Sequence, residues 1–186
     1  VPAVTQWRNF ESAAGRMAQI IVTASRDPNI ANTAIGIVRP LRPGFPANEA
    51  AALCRYVTRN IRYTNDVFNE DFFRNPAETI RLGAGDCNNK AVLFCALARA
   101  IGFPVRLVFL FASTAPDLAV EYPAHVWAEV DLNKGERSAK WVPCESTPLP
   151  LGYGQNRLGV EMPFGTAGTG GGLRVVVDVD AAAANA

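Results

Sequence analysis

GAGDCNNKAVLFCALARAIGFPVRLVFLF, residues 83–111, contains the change of pattern that decides the fold. Ala91, Val92, Phe94, Cys95, Leu97, Ala98 and Ile101 leave almost no polar face, so a buried helix is predicted from Asp86 or Cys87 to Ile101. Gly102 and then Pro104 stop it. Beyond Pro104 the helical spacing ends, and Val105 to Phe111 reads as a dense β run with aromatic content. A central helix therefore runs directly into a central strand.

Downstream, His125 to Leu132 alternates. Val126, Ala128, Val130 and Leu132 fall on one side, and His125, Trp127, Glu129 and Asp131 on the other. Asn133-Lys-Gly is a turn signal, and Lys140 to Cys144 reads as the next strand. Upstream, apolar residues at 7, 10, 13, 14, 17, 20 and 21 predict a helix from Trp7 to Ala24. Asp27-Pro28 is read as its break, with an extended connection through Pro40, Pro43, Gly44 and Pro46. A second helix is expected from Asn48, as its cap, to Arg62, with Ala50, Leu53, Cys54, Val57 and Ile61 on one face. Tyr63 to Gly85 reads as irregular apart from one helical turn at Ala77–Leu82. Helices first and strands later, without βαβ alternation, indicate an α+β fold with an antiparallel sheet. Five glycines between Gly165 and Gly172 read as a linker rather than a phosphate cradle, followed by one strand, Leu173 to Val179, and an alanine tail. The expected organisation is a helical lead-in over 1–46, a core over 47–160, and a linker and tail over 161–186.

Composition narrows the function. The 186 residues carry 18 basic and 17 acidic side chains, a balance that argues against nucleic acid as a partner. No apolar stretch reaches the roughly 18–20 residues of a membrane span, and Arg8, Glu11 and Arg16 interrupt any signal-peptide core. A membrane partner is not expected. One histidine excludes a His-rich zinc site, and no Asp-x-Asp-x-Asp-Gly calcium loop occurs, so neither metal nor cofactor is predicted. The cysteines, at 54, 87, 95 and 144, form no Cys-x-x-Cys pair. A chain with this large a core does not need disulfides, so reduced thiols are expected, with Cys54 and Cys95 as core residues.

Cys87 stands apart, because it follows Gly83-Ala-Gly-Asp86 and opens the buried helix. The positive end of the helix dipole favours thiolate there. A thiolate needs a base, and the base needs an orienting acceptor. His125 is the only imidazole available, and Glu145 ends the neighbouring strand. Trp127 either walls the acyl site or packs in the core.

Gly85-Asp-Cys87, Ala91 to Ala98, Ile101-Gly-Phe-Pro-Val-Arg106, His125-Val-Trp-Ala-Glu-Val130 and Trp141-Val-Pro-Cys-Glu-Ser-Thr147 together resemble the transglutaminase-like superfamily. Upstream, Ile61-Arg-Tyr63 and Asn75 to Ile80 add to the likeness, which spans roughly residues 50 to 152. The resemblance implies a variant of the papain-like cysteine-protease core, with the cysteine-bearing helix packed on the sheet. It implies Cys87 as nucleophile, His125 as base and Glu145 as the acid that orients it. Glu145 replaces the usual Asp, and Asn88-Asn89 replace an acidic pair. The implied reaction is acyl transfer from a protein or peptide carboxamide, a Gln side chain or a peptide bond, through a thioester. The acceptor would be a Lys or other amine, or water. The backbone N–H of Cys87 would serve as one oxyanion donor, with a second expected between Tyr63 and Phe72. The alternatives are a cysteine protease of the same fold, or an inactive structural or interaction domain. The Gly-Asp-Cys form of the motif, frequent in phage gene sets, implies a cytoplasmic location or one on a phage-like particle.

Overall fold

The computed structural model describes residues 10–64, 73–111, 115–117, 123, 125–136, 138–147 and 174–186. Helix α1 (Phe10–Ala24) buries Phe10, Ala13, Ala14, Met17 and Ile21 of the predicted stripe; Ile20 is half-buried, and Trp7, the expected start, lies outside the described residues. Asp27-Pro28 does not merely break that helix: it starts another, α2 (Pro28–Val38). The Asp27 carboxylate accepts from the Asn29 N–H at 2.8 Å, and Pro28 occupies the first turn, where its missing N–H costs nothing. The expected extended connection therefore shortens to residues 39–45. Helix α3 (Pro46–Asn60) begins after Phe45 rather than at an Asn48 cap, and buries Ala50, Leu53, Cys54 and Val57.

A two-residue strand β1 (Arg62–Tyr63) and the short helix α4 (Pro76–Leu82) lead toward the central helix. Gly83 ends α4 in the left-handed region, at φ 61°. Strand β2 (Ala84–Gly85) pairs in parallel with β1. A Cβ on Gly85 would sit 2.8 Å from the Cβ of Asn89, so only glycine lets this strand lie against the first turn of α5 (Cys87–Ala100). In α5 every residue from Asn88 to Ala98 is buried. It packs against α1, α2, α3 and α4, and against the sheet on its other side.

That sheet contains β3 (Val105–Leu110), β4 (His125–Asp131), β5 (Trp141–Cys144) and β6 (Arg174–Asp178) in the order β5-β4-β3-β6. All its pairings are antiparallel, as expected. Leu107, Phe109, Val126, Ala128 and Val130 join the main core with α5, whereas Val108, Leu110 and Trp127 cluster on the opposite face. The turn after β4 is organised by buried Asp131, whose carboxylate accepts from the backbone N–H groups of Asn133, Gly135 and Lys140.

The chain end is a correction. The expected strand exists as β6, but the alanine tail is helix α6 (Val179–Asn185), capped by Asp178 and packed on α1. Arg99 at the end of α5 pairs with Asp180 at 2.6 Å and donates to Ser25 Oγ at 2.9 Å. The tail is thereby tied to two helices. The glycine run lies outside the described residues, as do residues 65–72 of the Tyr63–Phe72 stretch expected to hold a second oxyanion donor.

Candidate active site

Cys87 is the first residue of α5, beneath a cap made by Asp86, whose carboxylate accepts from the Asn89 N–H at 2.8 Å. The Cys87 thiol accepts hydrogen bonds from the backbone N–H groups of Val126 and Asn88. The first of these contacts joins the helix start to β4, one residue past His125. The expected thiolate is not the resting form, however. Burial of the sulfur and the negative charge of Asp86 push the thiol up to about 12, against the two N–H groups and with a further push from Glu145. Desolvation here outweighs the helix dipole. Cys87 is still partly open to solvent, whereas Cys95, two turns on, is wholly enclosed, as expected.

His125 starts β4, and Glu145 directly follows β5, the strand hydrogen-bonded to it. The antiparallel register sets Ala128 opposite Cys144, so the chain leaving β5 runs back alongside the start of β4. His125 Nε2 lies 2.5 Å from Glu145 Oε2, and both side chains are at most 2% exposed. Glu145 Oε1 accepts from the Thr147 N–H at 2.8 Å. Burial alone would raise the Glu145 carboxyl, but hydrogen bonds from His125 and Thr147 and the attraction of the imidazole hold it below the usual carboxylate range. An ionised carboxylate can only accept, so the Nε2 facing it carries a proton.

The surroundings of His125 are aromatic and charged. The Trp127 ring stacks against it at 6.0 Å and 27°, and the indole is 1% exposed, in favour of its packing role. Arg174 of β6 lies 5.6 Å over the Trp127 ring and pairs with buried Glu129, which Arg106 also holds at 2.6 Å.

Three features lay beyond the sequence reading. Cys54 and Cys144 form a disulfide, which corrects the expectation of reduced thiols and accounts for Cys144. Their 90-residue separation offers no local pairing signal. Thr147 secures the second oxygen of Glu145. Lys90, fully buried on α5, donates to the carbonyls of Val57 at 3.2 Å and Ile61 at 2.5 Å, and so caps the end of α3. Burial lowers its ammonium to about 8. A charge in the buried first turns of a largely apolar helix was the available signal.

The profile of the transglutaminase-like superfamily matches residues 32–146, more than half of the chain. The chain belongs to the transglutaminase-like superfamily. Solved structures share its fold. One is a candidate protease from Parabacteroides distasonis, with a TM-score of 0.57 and 10% identity, over 73% of this chain and 26% of that one. Another is a candidate cysteine protease from Cytophaga hutchinsonii, with a TM-score of 0.54 and 19% identity, over 88% of this chain and 48% of that one. This superfamily member thus spans about a quarter and about half of the two proteins. No curated protein matches it. The superfamily match ends at Ser146, so β6 and α6 lie outside it.

Proposed function

We propose that this transglutaminase-like protein is an enzyme of cysteine-dependent acyl transfer, acting on a carboxamide of a protein or peptide as a transglutaminase or related amidase. Cys87 is the nucleophile, His125 its base and Glu145 the residue that orients the base. The observation that carries the reading is the buried His125–Glu145 pair at the start of β4, the strand whose Val126 N–H acts to lower the Cys87 thiol.

Because the resting group is a thiol, proton removal accompanies attack. The thiol proton passes to Nδ1 of His125 while sulfur bonds to the carboxamide carbon. The resulting oxyanion takes a hydrogen bond from the Cys87 backbone N–H, a kind of donor typically worth about 3–4 kcal/mol. Collapse breaks the C–N bond, and the imidazolium gives its proton to the departing ammonia or amine. The thioester then acylates an amine, forming an isopeptide bond, or water, forming an acid. Glu145 stays ionised throughout and stabilises the transient imidazolium.

A Gln-containing protein mixed with a fluorescent primary amine tests this. Amine incorporation by wild type and none by Cys87→Ala supports transamidation, and ammonia release alone supports an amidase. Peptide fragments would support the second reading, a cysteine protease, which the descriptions of the two structural neighbours favour. Absence of every product with both wild type and Cys87→Ala would instead favour an inactive structural domain. Of the two expected locations, the Cys54–Cys144 disulfide favours the particle, since such bonds persist where conditions are oxidising.

A further inference from the structure

The last ladder pair of β5 is Cys144 with Ala128, so Glu145 stands just past the end of the sheet. Its side chain is also one methylene longer than the aspartate usual at this place, which adds a torsion to be restrained. Yet Glu145 is 1% exposed and holds His125 at 2.5 Å. Something must fix its backbone beyond the strand. Cys144, the residue before it, is bonded to Cys54 in the middle of α3, and both are at most 1% exposed. The Cys54 sulfur also lies 3.9 Å from the Glu145 carbonyl oxygen.

Helix α3 is in turn attached to the nucleophile's helix. Lys90, one turn beyond Cys87, holds the carbonyls of Val57 and Ile61, and Val57 is one turn beyond Cys54. The connections close into a ring. Cys87 leads along α5 to Lys90, across to α3, through the disulfide to Glu145, on to His125, and back through the Val126 N–H to the Cys87 sulfur.

We propose that the Cys54–Cys144 disulfide is a positioning element of the catalytic site, which holds Glu145 against His125 by tying the end of β5 to α3. The protein therefore works with this pair oxidised and Cys87 reduced. The inference rests on the Cys–His–Glu reading, but its main test does not need a substrate. With one histidine in the chain, the His125 Nε2 proton in its short bond to Glu145 gives a single, assignable low-field imidazole resonance.

Peptide mapping of unreduced wild-type protein is expected to yield one fragment joining Cys54 to Cys144; unlinked fragments would overturn the proposal. In Cys54→Ala/Cys144→Ala, and in the better-filled Cys54→Val/Cys144→Ala, the resonance should broaden or vanish while circular dichroism shows a folded chain. Acyl-transfer kcat should fall tenfold or more with KM little changed. An unaltered resonance in either folded variant would refute the positioning role, whatever the activity. Should both variants fail to fold, the resonance is followed in wild type treated with a trialkylphosphine, which opens the S–S bond to two thiols and, taking the oxygen of a water whose two protons go to those thiols, becomes its oxide. Loss of the signal supports the proposal, and persistence with both thiols free overturns it. If wild type has no activity but the resonance responds as expected, the acyl-transfer reading fails while the tether stands.

Discussion

Replacing Glu145 with Gln preserves shape and removes one charge, and the site's hydrogen bonds dictate the consequence. The carboxylate accepts on both sides, from His125 Nε2–H and from the Thr147 N–H. An amide has one oxygen and one NH2, so it can satisfy only one of those donors. If its oxygen faces Thr147, its NH2 faces Nε2, which must then become the acceptor and shift the ring proton to Nδ1. That tautomer cannot take the Cys87 proton. If the oxygen faces His125 instead, the NH2 opposes the Thr147 N–H, and one buried donor is left unsatisfied at about 1–3 kcal/mol. The tautomer fault is the larger for catalysis: the corresponding acid-to-amide change in a Ser-His-Asp site lowers kcat about 10⁴-fold. A 10³- to 10⁴-fold fall in amine incorporation is therefore expected for Glu145→Gln, because the orientation that satisfies both neighbours is the one that moves the ring proton, at little cost in stability. Nitrogen-15 NMR of the single imidazole reads the tautomer directly. Wild-type stability has a matching pH dependence. The folded carboxyl lies below its unfolded value of about 4.3, so its contribution is complete above that pH and is lost as pH falls through the folded value. Activity within a few-fold of wild type, with Nε2 still protonated, would refute this reasoning.

Other outcomes follow from the same geometry. With its thiol pushed up to about 12, Cys87 in folded protein should react with iodoacetamide at a rate that climbs through pH 9 and above; a plateau near neutrality would show a preformed thiolate. Lys90→Met takes its side-chain donor from the Ile61 carbonyl, while the Val57 carbonyl keeps the Ile61 N–H, and should cost about 1–3 kcal/mol in urea unfolding, so an unchanged midpoint and slope would dismiss the cap. Gly85→Ala places a methyl 2.8 Å from the Asn89 Cβ and should destabilise by about 1–3 kcal/mol. Because it pushes β2 from the first turn of α5, acyl transfer should fall with it, and a variant with wild-type melting temperature and rate would disprove that coupling.

The sequence was most legible where a single element carries its own pattern. The stripes of α1 and α3, the all-round apolar α5 and the alternation in β4 identify themselves, because burial of one face leaves a period that neighbours in the chain share. Local chemistry also misled. Asp27-Pro28 has the residues of both a break and a helix start, and only the packing of Ile30 and Ala34 selects the second. The alanine-rich end reads as a tail because alanine carries no amphipathic pattern; α1 and the Arg99–Asp180 pair make it a helix.

For the candidate site, the count of one histidine and the strand order singled out His125 and Glu145 before any contact was visible. Their chemistry reached further than the sequence. That Glu145 meets Nε2 depends on antiparallel register, and that Thr147 holds its second oxygen depends on the turn past β5. The Cys54–Cys144 bond and the Lys90 cap join residues 90 and about 30 positions apart, where no local pattern records the partner. The protonation of Cys87 shows the division most clearly. Its place at a helix start is written in residues 83–87 and argues for thiolate, a short-range effect. The burial that overrides it is set by the packed fold, with the charge of the adjacent Asp86 adding to the push, so the tertiary structure settles what the local residues leave opposed.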